Sequence, residues 1–295
     1  MTLADLIASA ERELLDAGVS FGHGTTNARD EAAWLVLHAL GLPLDTDVEE
    51  YASNQPLAPG SQARAASLLR ARIDTRQPLA YLTHEAWLQG VPFYVDERSI
   101  VPRSLIAEAL ADGSVDPWLS DQTRCMLDLC TGNGSLAVLA ALAWPEVRVT
   151  AADISADALA VARINVDRHG LQDRITLIES DGLAQCVGPY DLILCNPPYV
   201  NSASMAALPA EFRAEPALAL AGGADGMDFI RALLRDAPAR MSAHGVLVLE
   251  IGHERAHFEA AFPQLNPVWL DTSAGGDQVL LLTHQDLTSR WPAQA

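Results

Sequence analysis

The chain has 295 residues, 49% of them hydrophobic and 19% charged, with a formal net charge of −19. That length holds one large domain or a main domain with a smaller appendage, and the composition is globular rather than disordered. Every basic residue apart from histidine is Arg; the acidic surface aids solubility, disfavours DNA or RNA as the main partner and favours a basic protein.

The N-terminal run MTLADLIASAERELLDAG reads as an amphipathic helix without the basic start and apolar centre of a signal peptide. No stretch approaches the roughly 20 apolar residues of a membrane span, so a cytoplasmic location with no membrane partner is expected. Residues 1–78 carry repeated helical periodicity, with Leu14, Leu15, Trp34, Leu35, Leu37 and Leu40 spaced to form apolar stripes and a further helix over 61–73. Gly and Pro break these helices at Gly18–Gly24, Gly41–Pro43 and Pro56–Gly60. Residues 79–101, LAYLTHEAWLQGVPFYVDERSIV, alternate apolar and polar around a Gly-Val-Pro break, which predicts a β-hairpin linking two domains.

The third segment, 102–295, alternates short apolar runs with helices. RCMLDLC, VRVTAAD, ITLIES, YDLILCN and GVLVLEIG read as buried parallel strands, and SADALAVARINVDRH as a helix opened by a Ser cap. NPVWLDTS and QVLLLTHQ are joined by too short a turn for a crossover, so they pair antiparallel. The four cysteines, Cys125, Cys130, Cys186 and Cys195, lack C-x-x-C spacing and sit on or beside strands, so buried reduced thiols are expected rather than disulfides or a metal site.

The first strand runs into Asp128-Leu129-Cys130-Thr131-Gly132-Asn133-Gly134, where the glycines permit a tight turn and close approach to a ligand. Asp153 ends the second strand about 20 residues on, where an acid accepts bonds from ribose hydroxyls; this much fits NAD and S-adenosylmethionine alike. Asp181, after the third strand, is in position for an adenine edge. The fourth strand ends in Asn196-Pro197-Pro198-Tyr199, and strand carboxyl ends are where open α/β sheets hold ligands. The prolines remove two N–H donors, so the Asn196 side-chain carbonyl and the Pro197 main-chain carbonyl can grip both hydrogens of an –NH2 group. Two acceptors favour rehybridisation of a delocalised nitrogen, and Tyr199 can stack on the flat amide or base. Methyl transfer to an amide or amino nitrogen follows as the expected chemistry.

At this point the sequence resembles the protein-glutamine methyltransferases with an Asn-Pro-Pro-Tyr motif, over nearly its whole length. Phe21-Gly22-His23-Gly24-Thr25 with Asn27 and Asp30-Glu31-Ala32 is similar to the N-terminal signature of the PrmB branch, which modifies a glutamine of large-subunit ribosomal protein L-three. Pro78–Thr83, Phe93–Arg98, Val101-Pro102-Arg103-Ser104, Leu208–Arg213 with Glu215-Pro216, and Gly275-Gly276-Asp277 extend the likeness. The release-factor branch, PrmC, usually carries an acidic residue soon after its Pro-Arg-Pro, where this chain has Ser104-Leu105-Ile106.

The resemblance implies a class I S-adenosylmethionine-dependent methyltransferase, an α/β Rossmann-like sheet with its last strand antiparallel, plus a small helical substrate-recognition domain. It places Asp128, Thr131, Gly132, Asn133, Gly134, Asp153, Asp181 and Asn196 at the cofactor. Asn196, Pro197, Pro198 and Tyr199 would hold the glutamine, with Phe93 walling the pocket. Asn133 stands where the family has Ser, Gly182-Leu183 where it has Leu-Phe, and Gln278 where it has Gly. His23 reads as a loop or inter-domain contact, Arg103 as a salt bridge or a carboxylate grip, and Glu250 as structural or as an orienter. Other readings are methylation of release factors, adenine amino-methylation of nucleic acid, and a non-enzymatic ribosome-assembly factor.

Overall fold

The protein was analysed as a computed structural model, and the structure describes residues 2–54, 57 and 60–289. The N-terminal helices are Leu3–Asp16, Ala28–Leu40, Val48–Asn54 and Ser61–Thr75. The first is closed by a Thr2 capping box and the second by the Asn27 side chain, which accepts from the Asp30 N–H at 2.9 Å. Leu14 is fully buried, but Leu15 is 59% exposed, because neighbouring helical side chains point about 100° apart and only one of the pair faces the core. The break at Pro56–Gly60 lies largely outside the described residues.

A short helix, Leu79–Thr83, stands where the hairpin pattern begins; Pro78 caps it, and Leu79, Ala80 and Tyr81 are buried against the helical domain. The hairpin itself is the shorter pair β1 (Ala86–Leu88) and β2 (Val91–Phe93), antiparallel. Seven further strands follow: β3 (Cys125–Leu129), β4 (Arg148–Asp153), β5 (Ile175–Glu179), β6 (Tyr190–Cys195), β7 (Met241–Glu250), β8 (Val268–Thr272) and β9 (Gly275–Thr283). They form one sheet of order β5-β4-β3-β6-β7-β9-β8, in which β3 to β7 pair parallel and β9 is antiparallel to both its neighbours.

Strand residues are apolar on both faces because helices cover both. Met126, Leu192, Leu194 and Val248 feed one core with the helices Ile106–Ala111 and Ser135–Ala143, while Leu127, Leu129, Ile193 and Leu249 feed the other with Asp228–Asp236 and Arg255–Ala261. The chain builds outward from β3 through β4 to β5, then crosses back to add β6 on the other side of β3. That reversal opens a crevice at the strands' carboxyl ends. All four cysteines are free; Cys186 and Cys195 are buried and Cys130 half-buried, but Cys125, the first residue of β3, is exposed rather than buried as expected.

Charged groups brace the helical domain from within and tie it to the segment that follows β6. Arg72, fully buried, donates to Glu31 at 2.7 Å and to the Ser20 carbonyl at 2.9 Å. Glu211, from the segment that follows β6, accepts from the Ser20 N–H at 3.1 Å and from Arg76 at 3.2 Å. Replacing Arg72 by Met leaves the Glu31 carboxylate buried without its cation, a loss of roughly 3–5 kcal/mol. Urea unfolding of R72M should show that loss, and the double variant E31L/R72M should recover much of it.

Candidate active site

The loop after β3 is organised by a buried carboxylate. One oxygen of Asp128 accepts from the Thr131 hydroxyl at 2.5 Å and the Ala137 N–H at 3.0 Å, which ties the glycine loop to the helix it opens. Burial pushes the Asp128 carboxyl up to about 7, against the pull of those two bonds. Gly134 sits at φ +80°, and a Cβ there would stand 3.1 Å from the Ala162 Cβ, so loop and helix meet closer than a larger residue permits. The Asn133 side chain accepts from the Ser135 N–H at 3.2 Å. Asp153, at the end of β4, accepts from the Gly132 and Ser155 N–H groups, each at 2.9 Å; burial raises its pKa.

These groups open on a cavity of about 380 Å³. Thr131, Gly132, Asn133, Asp153, Asp181 and Asn196 line it, together with Pro198. Gly134, Asp128, Pro197 and Tyr199 are adjacent in sequence to lining residues or to the glycine loop but are not among the residues that line it. Among the described residues no side-chain bond occupies the Asn196 amide, which leaves both its ends for a ligand.

Phe93 does not wall this cavity. Alternation along β2 turns its ring inward, where it is fully buried in the sheet core and tilted against His169 at 5.5 Å between centroids. The aromatic beside Asp181-Gly182 is instead Phe229, which lines the cavity and stands 3.9 Å from where a Gly182 Cβ would be. Sequence spacing gave no hint of it, because Phe229 lies 47 residues beyond Gly182.

Sequence reasoning also missed Asn165. Its side chain donates to the Asn133 and Tyr94 carbonyls, at 2.8 and 2.9 Å, and accepts from the Tyr94 N–H at 2.7 Å. One amide thus joins the glycine loop to the hairpin linker. The signal was an Asn four residues after Val161, on the apolar face of its helix.

The three ambiguous residues resolve as contacts. Arg103 lines the cavity but is gripped by both oxygens of Glu215, at 2.6 and 2.7 Å. Burial by itself raises the Glu215 carboxyl, but Arg103 and the His23 ring, 3.4 Å away, hold it down to about 2. His23 packs on Phe212 at 4.2 Å, so the helical domain meets the segment after β6 there. Glu250 accepts from the Ser104 hydroxyl at 2.5 Å, the Leu105 N–H at 2.9 Å and the Tyr199 hydroxyl at 3.2 Å.

Known proteins resemble this chain in sequence and in fold. The methyltransferase small domain model matches residues 116–224. The chain is 56% identical over 291 residues to the ribosomal protein uL3 glutamine methyltransferase of Bordetella pertussis, covering 98% of this chain and 97% of that one. It is 50% identical over 296 residues to the protein of the same name from Burkholderia pseudomallei, covering 97% and 95%. The hMettl16 catalytic domain shares the fold, with a TM-score of 0.52 at 14% identity over 76% of this chain and 81% of that one. On near-full-length identity, the chain belongs to the family of ribosomal protein uL3 glutamine methyltransferases.

Proposed function

We propose that the protein transfers a methyl group from S-adenosylmethionine to the side-chain amide nitrogen of a glutamine in ribosomal protein uL3. The observation that carries this reading is the free Asn196 amide on the wall of the same cavity that the glycine loop and Asp153 line. The substrate follows from the names of the relatives, and the charge of −19 suits a basic ribosomal protein.

The cavity fits the cofactor's chemistry. Its apolar lining, Leu136, Ile154, Ala158 and Phe229, suits an adenine ring; Asp153 offers acceptors to ribose hydroxyls and Asp181 to the adenine amino group. Bound there, S-adenosylmethionine supplies an electrophilic methyl on a sulfonium. The chain's own work is to prepare the nucleophile. The Asn196 side-chain oxygen and the Pro197 carbonyl each accept one amide hydrogen, which holds the nitrogen and favours its pyramidal form. Tyr199 steadies the motif. Orientation and electrostatics carry the acceleration, and no strong base is required, because the nitrogen's pKa collapses once it carries a fourth substituent.

Residues 1–78 select the protein substrate, the 79–101 linker joins them to the catalytic domain of 102–295, and the enzyme works in the cytoplasm. No helix of the described residues is long and apolar enough to cross a membrane, which is compatible with that location.

Labelled S-adenosylmethionine, offered with free uL3, a release factor or DNA, should place label on a glutamine of uL3. Label confined to the release factor keeps the chemistry and moves the substrate; label in DNA overturns both. Asn196→Ala should lower kcat roughly 100–1000-fold while cofactor binding, measured calorimetrically, persists. A chimera carrying residues 1–101 of a release-factor enzyme should exchange uL3 for the release factor in the same assay.

A further inference from the structure

Tyr199 is held more firmly than its neighbours in the motif. Gly252, at φ +53°, lies under its ring: a Cβ there would come within 2.5 Å of Cε2, so the turn after β7 is open only because that residue is glycine. The ring's hydroxyl donates to Glu250, the last residue of β7, which is 3% exposed. The other Glu250 oxygen accepts from Ser104 and Leu105, at the entrance to the helix Ile106–Ala111. Two residues earlier, Arg103 and the Val101 N–H are bound by Glu215, from the segment that continues Asn-Pro-Pro-Tyr. Two stretches far apart in sequence, the motif and the entrance to the helix Ile106–Ala111, therefore converge on one buried carboxylate at the end of β7.

A buried carboxylate is costly unless donors surround it, and Glu250 has three. Burial raises its pKa all the same. For the single purpose of closing the core, an apolar residue at this strand end is the cheaper solution. Its presence here is accounted for by what it orients.

We propose that Glu250 is a positioning residue for methyl transfer, fixing the Tyr199 phenol and the Ser104-Leu105 turn on one carboxylate and so aligning the target-holding motif with the start of the helix Ile106–Ala111. This rests on the glutamine-methylating reading of the site. Glu250→Gln keeps an oxygen for Ser104 and Leu105 but turns its amide N–H₂ towards the phenol, which loses its charged acceptor and can keep the contact only by accepting in turn. Tyr199→Phe removes the hydroxyl alone.

Both variants and their combination are compared with the unmodified full chain by thermal unfolding and by kinetics on uL3. Each single variant should lower kcat by on the order of 100-fold with KM unchanged. The double variant should be no worse than the worse single one, because both substitutions act through the same contact. Ser104→Ala should stabilise neither variant and should lower kcat less than either. Full turnover by Y199F or E250Q, or losses that multiply in the double variant, overturns the proposal. The thermal cycle uses no substrate: if the unmodified enzyme leaves uL3 unlabelled, the assigned reaction fails, and additive shifts in Tm for the two substitutions separately overturn the junction. Should E250Q not fold, Y199F at full kcat still decides against it.

Discussion

A charged carboxylate survives inside a protein only where donors replace the water it has lost, and that requirement shapes this molecule. Glu215 is the clearest case. It is buried, yet it stays ionised because Arg103 clasps both its oxygens, the Val101 N–H adds a third bond at 2.9 Å and His23 stands close by. Satisfying it brings together the N-terminal loop, the domain linker and the segment leaving β6. Glu211 and Glu31 repeat the solution a few residues away through Arg72 and Arg76. The junction between the helical domain and the segment after β6 therefore carries directional ion pairs beside its ring contact, and one buried pair, Arg72 with Glu31, lies inside the otherwise apolar helical domain. Directional bonds fix orientation where apolar contact alone would let the two parts slide.

Much of this architecture could be read without coordinates because its determinants are local. Strands of the sheet announce themselves as unbroken apolar runs, the glycine loop and Asn-Pro-Pro-Tyr sit at their ends, and the short connection Ser273-Ala274 forces β8 and β9 to be antiparallel, with Gly-Gly-Asp opening β9 rather than forming the turn. What escaped was non-local or ambiguous in period. Leu79–Thr83 is five residues long, and an apolar run of that length fits either period; Pro78 and contact with the helical domain settle it as helix. Phe93 was assigned to the pocket through resemblance, but the strand's alternation carries its ring to the core.

Partners across long sequence separations left the least trace. Asn165 reaches Tyr94 71 positions away and Glu250 reaches Ser104 146 positions away, and neither motif nor periodicity encodes such distances. A buried polar residue on an otherwise apolar helix face is the one clue of this kind that a sequence offers. It says that a partner exists without saying which.

The segment from Val200 to Gly223 illustrates what the anchoring achieves. Its base is closed by main-chain bonds between Val200 and Leu220 and between Gly222 and Val200, at 2.8 and 2.9 Å, and its interior is pinned by Glu211 and Glu215. A free loop of this length would have to surrender its conformational entropy on meeting a substrate, and the weakening would appear in the affinity. Here the disorder is given up once, during folding, against the stability of the whole chain. The cavity wall to which Pro216, Leu218 and Ala219 contribute is thereby shaped before any ligand arrives.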